Sequence, residues 1–375
     1  MQITFDRVAL ETALRALTRI ATRNQGATDD VFMETATDGT VRLTTTDAQT
    51  WLATTLAAET DATGVLLVPA ELLLNYIRGL GVEHITLDAD TAGHAALTWK
   101  SNHLRLLCRA PEQFPQPPSI APDAISFTLT ADLLHTLGRW CLPVAQDVGG
   151  RPILGTVHAD HVAGQLRFTG TDGMRLSRVQ VPFPGTVPAV SIPTRLLKQC
   201  LALTKTEPVT LRRQDNRIQA SLGSWTITSL LAEGKFPDAD RVIPEAYATT
   251  ITCDPTELQA AIDRLTIVMR TQRGGQVMTF AIQDSQLVLS AEGVDTGTME
   301  EIVDAVIEGP EWHLHFQPGF FLDALKMIGG EGEVVLAISG AQSPMRVTHA
   351  STPEALHIVL PLRDIVAAPP VAASA

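Results

Sequence analysis

The sequence predicts an α+β fold made of three repeated domains, each with antiparallel strands and two helices. A strand–turn–strand pattern at 165–178 has weaker copies at 41–47 and 287–293. Apolar helix faces recur at intervals of 124 residues, and prolines that precede a second helix recur at intervals of 124 and 125 residues. A period this long corresponds to a whole small domain rather than to a solenoid unit. The length of 375 residues also exceeds what one hydrophobic core normally supports.

The strand–turn–strand pattern is clearest in the middle of the chain. Leu166 and Phe168 alternate with polar neighbours, as the inward-facing residues of a half-buried strand do. Residues 171–173, Thr-Asp-Gly, are typical of a tight turn, and Leu176 then resumes the alternation. We therefore expect a β-hairpin here and related hairpins at the two weaker copies.

Each repeat is predicted to contain two amphipathic helices. The first helix of each repeat carries Leu10, Leu134 or Leu258 on an apolar face that we expect to be buried. The second helix begins near a proline, because the missing N–H of proline costs no hydrogen bond in the first turn of a helix. The matched prolines are Pro69, Pro193 and Pro318, and the predicted helices span 6–23, 71–80, 132–145, 194–205, 254–273 and 319–328.

The repeat spacing sets the expected domain boundaries. We expect domains at residues 1–122, 123–247 and 248–366, with the proline-rich stretch 111–123 as a linker after the first. Residues 367–375 lack a pattern that could bury an apolar face, so we predict a disordered tail there.

Composition restricts the class of protein. Hydrophobic residues make up 45% and charged residues 18% of the chain, which is ordinary for a folded globular protein. No apolar run reaches the roughly 18 residues of a membrane span, and the N-terminus shows no secretory signal, so we expect a cytoplasmic protein. The four cysteines are widely spaced and form no Cys-x-x-Cys pair, which predicts neither a disulfide framework nor a zinc site.

Charge is unevenly distributed along the chain. The net charge of −13 argues against a surface that binds nucleic acid everywhere. The predicted helices nevertheless carry thirteen Lys or Arg against eight Asp or Glu. Helices that shared one surface could therefore face a polyanion. The alternative is that Lys and Arg are simply good helix formers on solvated faces.

Three sequence runs in the second repeat carry a resemblance to a known family. They are Arg151-Pro-Ile-Leu-Gly155, Leu166-Arg-Phe-Thr-Gly-Thr-Asp-Gly-Met-Arg-Leu176 and Glu233-Gly-Lys-Phe-Pro-Asp-Ala-Asp-Arg-Val-Ile-Pro244. With these runs the chain resembles the bacterial DNA polymerase III β subunit family, the β sliding clamps. The similarity extends over all three repeats, about residues 1–363, although the first and third are recognisable mainly by pattern.

The resemblance implies a fold and a function. The fold would be a ring-forming homodimer of DNA-clamp domains, joined head to tail, with antiparallel sheets outside and two helices per domain inside. The function would be that of a processivity factor, which encircles double-stranded DNA without sequence specificity and tethers the clamp loader and DNA polymerase subunits through short peptide motifs. Such an accessory subunit needs no catalytic residue, metal or cofactor, has no membrane partner, and would be cytoplasmic and associated with the nucleoid.

The resemblance also implies a peptide-binding pocket between the second and third repeats. Aliphatic walls would bury apolar side chains of the peptide, glycine would permit close backbone approach, and arginines would lie at the rim. The alternative is that these positions are hairpin and core residues only. The implied pocket residues are Leu154, Thr171, Gly173, Met174, Arg175, Leu176, Pro237, Arg241, Val242, Ile358, Val359, Leu360, Pro361, Leu362 and Arg363.

Two further sets of residues follow from the same resemblance. Basic side chains on the helices would face phosphate without reading bases, and they are Arg15, Arg19, Arg23, Arg139, Arg195, Lys198, Arg264 and Arg270. The subunit contact would pair an edge strand of the first repeat with the third repeat through Leu104, Leu106, Ile267, Val268, Glu300 and Glu301.

The chain departs from the family pattern at three places. Met174 replaces the usual histidine of the turn motif, and the chain continues past Arg363, where the family typically stops. Glu71 and Leu72 occupy positions where basic partners for the interface glutamates are expected, which leaves apolar strand pairing to hold the dimer. A secondary or mobile-element clamp is therefore an alternative to the main replication clamp.

An enzyme is the alternative from a different class. His158, Asp160 and His161 could form a metal site of a metal-dependent enzyme, but their spacing suits a hairpin and no further ligand is marked. The sequence contains neither a Gly-x-x-x-x-Gly-Lys-Ser/Thr phosphate loop nor a Gly-x-Ser-x-Gly elbow. A scaffold without a DNA role is a third possibility.

Overall fold

The computed structural model of the chain describes residues 1–21, 26–89, 93–269, 276–293, 295–329, 332–340 and 342–362. The chain divides into two compact units. The first comprises Met1–His135 and Ile192–Ala232, and the second comprises Thr136–Ser191 and the chain from Glu233 onward. Strands and helices are numbered in chain order.

The first unit contains thirteen of the strands in the described part of the chain. They are β1 (Gln2–Asp6), β2 (Asp30–Thr35), β3 (Thr40–Thr46), β4 (Thr50–Ala57), β5 (Glu59–Thr60), β6 (Gly64–Pro69), β7 (His84–Ala89), β8 (His94–Trp99), β9 (Asn102–Leu107), β10 (Ile125–Leu129), β15 (Val209–Gln214), β16 (Arg217–Leu222) and β17 (Trp225–Leu230). Its helices are α1 (Arg7–Leu17), α2 (Ala70–Ile77) and α4 (Thr194–Leu203), and α3 (Ala131–Trp140) begins in it. The sheet orders are β5-β1-β7-β8-β9 and β10-β15-β16-β17-β4-β3-β2-β6.

The second unit contains the other strands of the described residues. They are β11 (Thr156–Val162), β12 (Gln165–Thr171), β13 (Arg175–Pro182), β18 (Thr249–Cys253), β19 (Met278–Gln283), β20 (Gln286–Gly293), β21 (Gly297–Val303), β22 (Ala305–Glu308), β23 (His313–Phe316), β24 (Val334–Ile338), β25 (Met345–His349) and β26 (Ala355–Val359), together with β14 (Val190–Pro193), which begins in this unit and ends in the first. Its own helices are α5 (Pro255–Val268) and α6 (Pro318–Ile328). The sheet orders are β14-β11-β12-β13-β26-β25-β24-β18-β22 and β21-β20-β19-β23.

The predicted α+β fold with antiparallel sheets is confirmed, and the described residues form six helices. Two strand pairings, β4 with β17 and β13 with β26, join strands from different predicted repeats into continuous sheets. Strands of the predicted second repeat therefore belong to both units. The domain boundaries at 1–122, 123–247 and 248–366 stay a prediction, and the tail at 367–375 lies outside the described residues.

Several helices are shorter than the sequence predicts. Helix α1 ends at Leu17 rather than at residue 23. The prediction that α3 continues to residue 145 is wrong, since it ends at Trp140. Pro143 lies in the predicted last turn, and proline lacks the N–H that a continuing helix needs. Helix α5 begins after Asp254, whose carboxylate caps the helix by accepting a hydrogen bond from the Thr256 N–H at 2.7 Å.

The predicted apolar helix faces are buried in the structure. Leu10, Leu134 and Leu258, which mark the repeat, are each at most 1% exposed. Complete burial of such a side chain contributes about 1.5–3 kcal/mol to stability. None of the helices described is both long and apolar enough to cross a membrane.

The hairpin repeat is confirmed in atomic detail at two turns. Between β3 and β4, the Thr46 hydroxyl donates to the Thr50 carbonyl at 2.9 Å. Between β12 and β13, the Thr171 hydroxyl donates to the Arg175 carbonyl at 2.6 Å. In both turns an aspartate follows the threonine. Its carboxylate accepts hydrogen bonds from the backbone N–H groups of the residues two and three positions after the aspartate. The same side chains therefore build the same turn in both copies.

Candidate functional site

The turn between β12 and β13 is the centre of the candidate site. Gly173 has a φ of +92°, a backbone conformation that glycine adopts without strain. Met174, which follows it, is 42% exposed. The Leu360 N–H donates to the Met174 carbonyl at 3.1 Å, so the turn also holds the chain that follows β26.

Arg175 ties this turn to helix α6. Its Nε donates to the Asp172 carboxylate at 3.0 Å, and its Nη1 donates to the Asp323 carboxylate of α6 at 2.5 Å. The guanidinium carbon also lies 4.8 Å from the ring centre of Phe320. Only 6% of the Arg175 side chain is exposed. The prediction that this arginine lies at the rim of a pocket is therefore wrong, because its charge is used to anchor the turn.

Apolar residues from three segments meet on one face of the nine-stranded sheet. Leu176 of β13 and Ile358 of β26 are cross-strand partners, and Ala239 of the segment after Glu233 packs on them. All three are buried, and they are joined by half-buried apolar neighbours. We call this group the pocket cluster, and its members are Leu176, Ala239, Ile358, Val242, Ile243, Leu356 and Leu360. Four of them, Leu176, Val242, Ile358 and Leu360, were predicted from sequence as pocket residues.

Two other predicted pocket residues are core residues by burial. Leu154 is 1% exposed within a short 3₁₀ turn at Pro152–Gly155. Val359 is fully buried, and side chains alternate along a strand, so it faces away from Ile358 and the pocket cluster. Whether either residue contacts a peptide stays a prediction.

The remaining predicted pocket residues lie around the cluster. Pro237 is half-buried, whereas the Arg241 side chain is 84% exposed and its Nε donates to the Asp238 carboxylate at 3.0 Å. An exposed guanidinium at this position fits the predicted rim. After β26, Pro361 and Leu362 are half-buried, and Arg363 lies outside the described residues.

The predicted DNA-facing residues of the first unit are on or next to helices α1 and α4. Arg15 is half-exposed and forms an ion pair with Glu11 at 2.5 Å. Arg195 forms an ion pair with Asp47. Arg19 and Lys198 are exposed, and Arg23 lies outside the described residues. Their role toward DNA stays a prediction.

The predicted DNA-facing residues of the second unit are engaged by neighbours. Arg139 donates to the Ile328 carbonyl at 2.5 Å, at the end of α6. Arg264 donates two hydrogen bonds, of 2.6 and 2.8 Å, to the Glu301 carboxylate. The hydrogen bond from Arg264 lowers the pKa of Glu301. Arg270 lies outside the described residues.

The predicted subunit-contact residues lie on a sheet edge of each unit or beside it. In the first unit, β9 is the edge strand of the five-stranded sheet, and on it Leu106 is buried and Leu104 half-buried. In the second unit, Ile267 is 54% exposed on α5. Val268 beside it is half-buried, and Glu300 on the edge strand β21 is exposed. Their pairing between subunits stays a prediction.

The side chains of the alternative metal site have other partners. His158 lies 2.9 Å from the Ser191 hydroxyl and stacks on Phe236, while Asp160 is paired with Arg167. His161 projects from the other face of β11 and bonds to a backbone carbonyl. Among the described residues no group of three or more His, Cys, Asp or Glu could hold a metal ion. The arrangement does not favour the metal-dependent enzyme.

The chain is similar in sequence to known proteins. The family model of the DNA polymerase III beta subunit, C-terminal domain, matches residues 240–363. A beta sliding clamp from Synechocystis is 25% identical over 349 residues, which cover 86% of this chain and 88% of the relative. A beta sliding clamp from Staphylococcus aureus is 25% identical over 307 residues, with 80% of both chains covered.

Solved structures of DNA clamps have the same fold as this chain. The DNA polymerase III subunit beta from Pseudomonas aeruginosa superposes with a TM-score of 0.90 at 23% identity, covering 97% of this chain and all of that one. A sliding clamp from Bartonella birtlesii, whose structure contains bound griselimycin, superposes with a TM-score of 0.89 at 25% identity and the same coverage. The fold is therefore that of a DNA clamp. In sequence, the chain is similar to the β sliding clamps, and its residues 240–363 match the C-terminal domain of the DNA polymerase III beta subunit.

Proposed function

We propose that the protein is a DNA sliding clamp. Two copies would join head to tail into a ring around double-stranded DNA, and the ring would tether clamp loader and polymerase subunits that dock short peptides at the pocket cluster. The protein acts as an accessory factor without catalytic chemistry of its own. We expect it in the cytoplasm, on the nucleoid.

The pocket cluster is the observation that carries the docking proposal. Leu176, Val242 and Ile358 are distant in sequence, yet they meet on one sheet face beside the turn that carries the family motif. Apolar side chains with polar neighbours are the usual lining of a peptide pocket. A hairpin needs no such gathering of residues from three segments, so a purely structural role explains the cluster less well.

Retention on DNA tests the encircling part of the proposal. The protein is loaded on nicked circular DNA by its clamp loader, and the same circle cut once serves as the linear control. A ring stays on the circle at 0.5 M salt and slides off the cut molecule. Equal loss from both DNAs, steepening with salt, would indicate a surface binder instead. The solution mass should be close to twice the 40.3 kDa of one chain.

Griselimycin, which is bound in the Bartonella clamp structure, provides a direct probe of docking. We expect it to bind this protein at the pocket cluster, and calorimetry with Leu360→Lys should show binding at least tenfold weaker. Leu360 is half-buried, so the variant should still fold. Val162→Lys, at an exposed apolar residue of β11, is the matched control and should bind as the parent does. Equal affinity of parent and Leu360→Lys would contradict docking at this cluster.

A further inference from the structure

A polar cavity of about 220 Å³ lies beside the pocket cluster in the second unit. Three cations line it, Arg167, Arg178 and Lys235. Three carboxylates line it as well, those of Asp160, Asp238 and Asp240. The volume is sufficient for a carboxylate group together with one or two waters.

The cavity is continuous with the pocket cluster. Thr169 and Arg178, which both line it, are cross-strand partners, and they lie two residues along β12 and β13 from the pair Thr171 and Leu176. Two residues along a strand correspond to about 7 Å on the same sheet face. Ala239 belongs to both the cavity wall and the cluster. A peptide anchored at the cluster can therefore reach the cavity.

The three carboxylates of the cavity already have cationic partners. Asp160 is paired with Arg167, and Asp240 accepts hydrogen bonds from Arg167 and, at 2.6 Å, from Arg178. Asp238 accepts from Arg241, which approaches from outside the cavity. Partial burial raises the pKa of the Asp240 carboxyl, but the hydrogen bond and charge of Arg178 outweigh this and lower the pKa overall. Each of the three carboxylates therefore already accepts a hydrogen bond from an arginine.

Two cationic side chains of the cavity keep donor groups that these carboxylates do not use. Arg178 is only 7% exposed, and its Nε and Nη1 donate to Thr169 and Asp240. Its Nη2 makes no hydrogen bond with any residue that the structure describes. Lys235 is exposed and forms no ion pair within the described ranges. His158 adds no charge at neutral pH, because burial lowers its pKa.

We propose that this polar cavity binds the carboxylate of an acidic residue in the peptide that docks at the pocket cluster, an inference that rests on the proposed docking function. The carboxylate receives charge-assisted hydrogen bonds from Nη2 of Arg178 and from Lys235. In an extended peptide, side chains two residues apart point to the same side and are about 7 Å apart. The acidic residue therefore lies two positions from an apolar anchor.

Four fluorescein-labelled octapeptides test the inference by fluorescence anisotropy. All contain a Leu-Phe anchor, and they carry Asp or its neutral twin Asn either two positions before the Leu or two positions after the Phe. One of the two Asp peptides should bind about tenfold more tightly than its Asn twin, since a hydrogen bond to a charged group has roughly that effect. The preference should shrink at 0.5 M salt.

Variants assign the preference to the cavity. Arg178→Gln should reduce the Asp-over-Asn ratio below twofold, and Lys235→Gln should reduce it about threefold without risk to folding, because Lys235 is exposed. Lys205→Gln, at an exposed lysine of the first unit, is the matched control and should keep the full ratio. Equal binding of Asp and Asn twins would overturn the inference and leave the docking function standing. Failure of all four peptides to bind would overturn docking at the cluster and the inference with it.

Discussion

A buried histidine lies directly behind the pocket cluster, and its protonation should destabilise the second unit. His357 of β26 is fully buried opposite Ser177 of β13, and its Nδ1 lies 2.6 Å from the Ser177 hydroxyl. Its Nε2 is buried and has no hydrogen-bond partner in the part of the chain that is described. A proton added there would be buried without an acceptor, which is costly.

The size of the effect follows from the pKa. Burial, assisted by the charge of Arg175, lowers the pKa of His357 to about 3. The unfolded chain has a histidine pKa of about 6.5, so below that pH the unfolded state binds more protons than the folded state. Stability is therefore complete above pH 6.5 and falls as the pH decreases toward 3. Between pH 7.5 and 5.5 this one group removes about 1.4 kcal/mol.

Urea unfolding followed by circular dichroism measures this loss. The free energy of unfolding is determined at pH 7.5 and 5.5 for the parent protein and for His357→Gln, which does not titrate. Other groups, including His158, contribute equally to both proteins, so the difference between the two pH effects isolates His357. The parent should lose about 1.4 kcal/mol more than the variant. An identical pH effect in both proteins would refute the reasoning.

Two substitutions and one labelling experiment should give measurable results. Arg175→Met leaves the mostly buried Asp172 carboxylate and the partly exposed Asp323 carboxylate without this cationic partner, and urea unfolding should show a loss of about 3 kcal/mol. Gly170→Ala would place a Cβ atom 2.6 Å from the Cys141 carbonyl oxygen, and thermal unfolding should show a loss of about 1–3 kcal/mol. Burial raises the pKa of the Cys141 and Cys200 thiols to about 12, so at pH 8 both should react with a thiol reagent only after unfolding, as mass spectrometry can show.

Each of these expectations has a clear opposite. Unchanged stability of Arg175→Met would mean that the ion pairs do not hold the turn to α6. Gly170→Ala with parental stability would mean that β12 can move away from the helix end at no cost. Labelling of Cys141 in the folded protein at pH 8 would mean that the second unit opens on the timescale of the reaction.

The repeat, the helix faces and the hairpins could be predicted from sequence because they depend on local periodicity. Leu10, Leu134 and Leu258 follow helical spacing, and burial of each confirms the pattern. The Thr-Asp turns were also predictable, since their hydrogen bonds join residues within four positions of one another. Helix ends were predicted less well, because a proline or a cap decides them over a single turn.

The role of Arg175 could not be predicted from its own segment. Its partner Asp323 lies 148 residues away on α6, and no local pattern marks the two as neighbours. The link of Asp240 to Arg178 across 62 residues is equally invisible in a single sequence. The pairings of β4 with β17 and of β13 with β26 could not be predicted for a similar reason, because they join strand edges that are far apart in the sequence.

The two copies of the turn differ in the side chains that surround them. In the first unit, Trp51 pairs with Thr46 at the register where Leu176 pairs with Thr171 in the second unit. Trp51 is buried with Phe32, Leu67 and Phe114, and its indole N–H donates to a backbone carbonyl at 2.7 Å.

Large aromatic side chains therefore fill a space in the first unit that smaller apolar residues line in the second. Phe32 and Phe114 stack with ring centres 5.1 Å apart, so these aromatic side chains pack closely in that space. At the position of Ile358 the first unit has Thr228, so the apolar sheet face also ends one strand earlier. Because both turns have the same hydrogen bonds, side-chain volume and polarity on the neighbouring strands distinguish the closed core of the first unit from the proposed docking surface of the second.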